Sequence, residues 1–196
     1  SKYLNEVLNC NEDIIKNLVL LQLALMNKDN LENAMNYLSQ ITSTDKELVD
    51  IVSLLKSIDL ITKDPSEAIL VLSSVQETGF IQHGFVKILK CFTYFNKFNE
   101  DKAIQILNDI NRDKLPEIIL PIYDFIHFCI FKNDNSLDYL NHWRDKYPNS
   151  KIFNNFLEVA EELANCEDDD TNEIVKKIFE NQQIFIPHLM EIASSL

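Results

Sequence analysis

The chain has 196 residues, of which 46% are hydrophobic, enough to bury one sizeable core and to exclude a disordered tail. Its formal net charge of −13 opposes the basic stripe that a phosphate-backbone binder needs, so no nucleic acid is expected as partner. Two glycines and five prolines disfavour hairpin-rich β architectures and point to helices.

In chain order, residues 3–10 can form a short leading helix. The spacing of Leu20, Leu23 and Met26 then predicts a helix over 11–27. A second helix over 30–41 starts at the candidate cap Asn30 and carries Ala34, Tyr37, Leu38 and Ile41 on one face. The next pair covers 44–62, opened by a Thr44-x-x-Glu47 capping box, and 64–77. Asp64-Pro65-Ser66-Glu67 gives the latter a cap, a proline at its first position and an early acid. A third pair spans 80–97 and 99–111, the latter capped by Asn99.

Residues 115–132 are apolar nearly all round, so this helix is covered on several sides, by a central place in a stack or by a bound partner. Pro121 inside it predicts a kink or a delayed start. Residues 134–146, with Asp134 as candidate cap, complete the fourth pair. A fifth covers 149–165 and 169–182, and 184–196 can close the open end. The run Asp168-Asp169-Asp170 reads as acid at a helix start, complementing the macrodipole, in preference to a metal site.

Across these elements one pattern recurs at intervals of 33 to 35 residues. The small residues Ala34, Ala68, Ala103, Ser136 and Thr171 are each followed at +4 by Leu38, Leu72, Leu107, Leu140 and Val175, with bulky residues at +3 and +7. A second stripe precedes each small residue by 14, 11 and 8 places: Leu20, Leu54, Leu89, Ile122 and Leu157 lead it. Such a period means tandem helical hairpins, each burying its apolar face against its neighbours. The expected fold is therefore all-α, a solenoid of about five antiparallel helix pairs with a C-terminal capping helix, in one domain over 1–196. A small side chain at the head of each second helix lets its companion approach to the usual 8–10 Å.

This repeat resembles the tetratricopeptide family over about residues 11–182, on its small B-helix residue and the bulky residue four places later. Pro148 falls where that family often places its repeat-ending proline. The small helix-A residue the family expects twelve before is here Gln22, Lys56, Cys91, Asp124 and Val159, and the aromatic expected nine before is Leu25, Asp59, Tyr94, His127 and Glu162. The A-helix stripe is thus displaced from the consensus.

The resemblance implies a right-handed superhelix acting as a scaffold or adaptor that binds a peptide or helical segment on its concave, A-helix-lined surface. The polar side of those helices, with Lys56, Asp59, Lys87, Tyr94, Asp124, His127, Phe131 and Glu162, would then face the groove. The acidic charge suits a basic or amphipathic partner segment.

Catalytic signals are thin. No phosphate-binding glycine loop, H-E-x-x-H or G-x-S-x-G occurs, and the four histidines are scattered. The four cysteines show no C-x-x-C spacing, and Cys91 and Cys129 read as buried thiols. No catalytic residue, cofactor or metal is expected. No apolar run approaches a membrane span and no signal-peptide pattern opens the chain, so no membrane insertion is expected. The scattered cysteines and the lack of any N-x-S/T acceptor fit a reducing cytoplasmic or nuclear setting. The rival readings are a pentatricopeptide-like RNA binder and a non-catalytic helical subunit of an enzyme complex.

Overall fold

The computed structural model describes residues 2–28, 30–77, 84–97, 99–132, 134–165, 188–190 and 192, and of residues 2–12 and 134 the backbone alone. The described residues are helical, without a strand among them. The elements are α1 (Lys2–Met26), α2 (Leu31–Ser39), α3 (Lys46–Lys63), α4 (Pro65–Ser74), α5 (Phe85–Asn96), α6 (Glu100–Asn108), α7 (Leu120–Phe131), α8 (Asp134–Lys146) and α9 (Lys151–Ala164). Among the described residues no helix is long and apolar enough to cross a membrane.

Helices pack in sequential pairs, α1 on α2, α3 on α4, α5 on α6 and α7 on α8. Successive pairs meet through α2–α3, α4–α5, α6–α7 and α8–α9, and the first helices α3 and α5, and α7 and α9, also touch. The repeated small residue and its +4 neighbour are buried in every described second helix: Ala34 and Leu38, Ala68 and Leu72, Ala103 and Leu107, Ser136 and Leu140. The stripe fourteen places earlier is buried at Leu20, Leu54, Leu89, Ile122 and Leu157, on α1, α3, α5, α7 and α9. All of these except Leu20 and the polar Ser136 belong to one continuous hydrophobic core, the main stabilising mass of the fold.

Caps explain most boundaries. Asn30, Asp64, Asn99 and Ser150 accept backbone N–H bonds at the starts of α2, α4, α6 and α9. Glu77 does the same for α5 from seven and nine residues upstream, its carboxylate accepting from the N–H of Gly84 at 3.0 Å and of Val86 at 3.1 Å. Gly84 has φ +81, a left-handed conformation that favours glycine, and a Cβ there would also press on the tip of the Leu115 side chain, 2.4 Å from its Cδ2.

Two expectations change, and the delayed start expected at Pro121 is met. The leading segment and the first helix are one continuous α1, because nothing in residues 2–26 breaks the helix. The Thr44–Glu47 capping box does not form: α3 starts one residue later, with Asp45 Oδ1 accepting from Leu48 N at 2.9 Å. Pro121 delays its helix, which begins at Leu120 and places the proline in the first turn, where its missing N–H costs little. Arg112–Lys114 form a 3-10 turn ahead of it. The expected fifth second helix (169–182), the run Asp168–Asp170, Cys166 and most of the closing segment lie outside the described residues. So does the side chain of Asp134.

Candidate functional site

α7 is buried along most of its length, with Pro121, Ile122, Tyr123, Asp124, Phe125, Ile126, Phe128 and Cys129 all withdrawn from solvent. A carboxylate in such a place needs ionic and hydrogen-bonding partners. Asp124 is 1% exposed. It accepts from Arg112 Nε at 2.7 Å on Oδ1 and from Arg112 Nη2 at 2.8 Å on Oδ2, the bidentate fork that suits a planar guanidinium. Oδ2 also accepts from the indole Nε1 of Trp143 at 2.8 Å. The hydrogen bond to Asp124 raises the pKa of the Arg112 guanidinium. The same guanidinium lies over the Tyr139 ring, 3.8 Å from its centroid.

One turn along α7, His127 Nδ1 and Ser136 Oγ share a hydrogen bond of 2.7 Å. The His127 ring stands 4.6 Å from that of Phe131 and 5.8 Å from that of Tyr123. Burial lowers the pKa of His127 below the ordinary histidine value. A cavity of about 190 Å³ opens among Arg112, Tyr123, Asp124, His127, Ser136 and Tyr139. The cluster juxtaposes serine, histidine and aspartate but not in a relay. Both carboxylate oxygens are committed to Arg112 and Trp143, and Ser136 is 3% exposed. The arrangement welds the α7–α8 hairpin to the turn before it.

The expected groove stripe is therefore divided. Asp124 and His127 face the companion helix α8 inside their hairpin, as the contacts to Trp143 and Ser136 require. Tyr94 is half-buried and takes a cation–π contact from Lys102 of α6, Nζ 5.2 Å from the ring centroid. Asp59 is buried and ion-paired to Lys63 at 2.8 Å. Lys56 is half-buried, while Lys87, Phe131 and Glu162 are exposed. In α5 and α7 the physical reason is helix rotation: the positions twelve and nine before the small residue turn towards the second helix of the pair. Cys91, twelve before Ala103, shows the same register, its Sγ donating to the Ala103 carbonyl at 3.3 Å.

The sequence reading missed Arg112. Its signal was indirect: a lone aspartate in an apolar helix demands a nearby cation. It also missed a cleft of about 250 Å³ between α1 and the start of α3, lined by Ile14, Leu18, Leu21, Leu48 and Ile51 with Asp45 and Glu47 among its walls. Ile14, Ile15, Leu18 and Val19 of α1 are 51–60% exposed, a contiguous apolar surface. Asp13, Asp45 and Glu47 beside it are exposed acids. Among the described residues no group of histidines, cysteines or acids could hold a metal ion. Burial pushes the Cys91 thiol up to about 12 and raises that of Cys129 as well, which keeps both protonated. Comparison of the chain with protein-family models, with curated proteins and with solved structures finds no match.

Proposed function

We propose that this protein is a non-enzymatic interaction module, a tetratricopeptide-like solenoid serving as scaffold or adaptor within a larger intracellular assembly. The observation that carries this reading is the apolar cleft on α1 and α3 with its acidic flank. A helix that leaves four adjacent large aliphatics half-exposed has a surface to share. The first helices of successive pairs line the face that such arrays use for partners, and α1 and α3 are the first helices of the first two pairs. The occupant it suits is an amphipathic helix, with leucine-like anchors for the cleft and lysine or arginine towards Asp13, Asp45 and Glu47. The buried register of the small residues and of Cys91, Asp124 and His127 supports the repeat assignment.

The test is selection from a display library of helical peptides. Enriched peptides should pair an apolar face with a basic one. They should lose binding to the Ile14→Glu, Leu18→Glu double variant, whose exposed positions leave the melting temperature within a few degrees of the parent. Failure to enrich, or binding unaffected by the double variant, would remove the cleft. Replacing Tyr94, His127 and Phe131 together is a poorer test, since two of the three support hairpin packing.

A further inference from the structure

A second cavity, of about 530 Å³, lies between α7, α8 and α9 and is closed on one side by His188. Its walls are Ile118, Pro121, Trp143, Tyr147, Ile152 and Phe153. The rings stand close together: Tyr147 and Phe153 with centroids 5.5 Å apart, Trp143 and Phe153 at 6.4 Å. His188 meets Phe153 edge-on, at 6.0 Å and 90°. It is 6% exposed, and neither of its ring nitrogens has a hydrogen-bond partner among the described residues. Buried polar atoms are normally satisfied, so a histidine orphaned at the wall of a cavity asks for a partner.

The electrostatics narrow the choice. Burial, with the charge of Lys28 acting in the same sense, lowers His188 to about 4, so the imidazole is neutral at neutral pH and offers one N–H donor and one acceptor. At the mouth Glu117 is ion-paired with Lys146, whose Nζ lies 5.4 Å from the Trp143 ring centroid and 5.5 Å from that of Tyr147. The charges at the entrance thus neutralise each other. None of the described residues lining the cavity is a cation, so a carboxylate would be desolvated against apolar walls, and an added cation would compete with Lys146 for the same rings. An aromatic hydroxyl fits both needs: a flat apolar body for the ring-lined walls, and a group that donates or accepts according to the imidazole tautomer.

We propose that this cavity binds a neutral planar aromatic carrying a hydroxyl, a phenol-class ligand whose ring packs on Trp143 and Phe153 and whose oxygen bonds to His188. The chemistry is common to a free phenol and to the tyrosyl side chain of a partner. The site is independent of the cleft on α1 and α3.

Trp143 is the chain's one tryptophan, so its indole N–H gives a single side-chain resonance at the cavity wall. The full chain, labelled with nitrogen-15, is titrated with 2-naphthol, naphthalene and 2-naphthoate. 2-Naphthol should shift that resonance saturably, with about tenfold higher affinity than naphthalene, and 2-naphthoate should not saturate. His188→Phe should bring 2-naphthol to within about twofold of naphthalene while naphthalene still binds. Should that variant fail to fold, the ranking of the three probes on the parent protein decides alone. Saturation by N-acetyl-tyrosinamide as well as 2-naphthol assigns the site to a tyrosyl side chain, and saturation by 2-naphthol alone to free phenols. No saturation by 2-naphthol, equal affinity for naphthalene, or equal affinity for 2-naphthoate would overturn the proposal.

Discussion

In the α5–α6 hairpin the position twelve before the small residue is Cys91, whose thiol touches the Ala103 carbonyl; in α7–α8 the same position is Asp124, held by Arg112 and Trp143. Nine before, Tyr94 takes Lys102 over its ring, while His127 bonds to Ser136. Both hairpins achieve close helix approach in one register. The first does so by burying small apolar groups. The second builds a polar node whose cation comes from outside the hairpin, in the turn of Arg112–Lys114. A seam of the first kind stands on its own shape, whereas one of the second kind depends on its neighbour.

The most severe test of that difference is Arg112→Met. It strands a carboxylate of 2% side-chain exposure in an apolar helix. Breaking a buried pair from one side costs about 3–5 kcal/mol, and the 28% exposure of the Arg112 side chain places this case near the lower end, at about 3 kcal/mol. Denaturant unfolding measures it, and a loss below about 1 kcal/mol would show that the node is ornamental. Next comes Ala103→Leu, which overfills the apolar seam at a cost of about 1–3 kcal/mol. Melting at the parent temperature would mean that α5 and α6 do not meet there.

A smaller effect separates the seams by pH. The folded thiol of Cys91 sits at about 12, above its ordinary value of 9.0, so the folded state holds a proton that the unfolded chain releases. Its contribution is intact below pH 9 and is lost as pH rises towards 12, by about 1.4 kcal/mol for each pH unit. Cys91→Ser should flatten the alkaline limb of the stability curve relative to the parent, and identical limbs would contradict this burial. The least effect is expected from Glu117→Gln. Its ion pair with Lys146 is exposed on both sides and belongs to neither seam, so the melting temperature should not move.

Helix order, the caps at Asn30, Asp64 and Asn99, and the buried small-residue stripe were all legible in the sequence. Each rests on local chemistry or on a period that holds at the four small residues described. The rotation of the first helices was not. In α7 nearly every residue is apolar, so periodicity cannot say which side meets α8, and Asp124 and His127 could be drawn facing a groove. Their orientation is set by what they meet, Trp143 and Ser136, which lie 19 and 9 residues away; both belong to the α8 stripe, but that stripe does not say which side of α7 meets it. Arg112 was invisible for the same reason. It sits in a turn, and its role follows only from the carboxylate it reaches.

Several side chains cross from one pair to another. Asn17 gives its amide to the Thr42 carbonyl and takes the Thr42 N–H, Asn96 of α5 donates to the Ile61 carbonyl of α3, and Lys97 reaches Ser66. With Glu77 capping α5, these stitches mean that neither of the first two hairpins can open without loosening the next. These linked hairpins should therefore resist piecemeal fraying: amide protons in α3 and α5 should exchange together, through one shared opening, rather than each at its own rate.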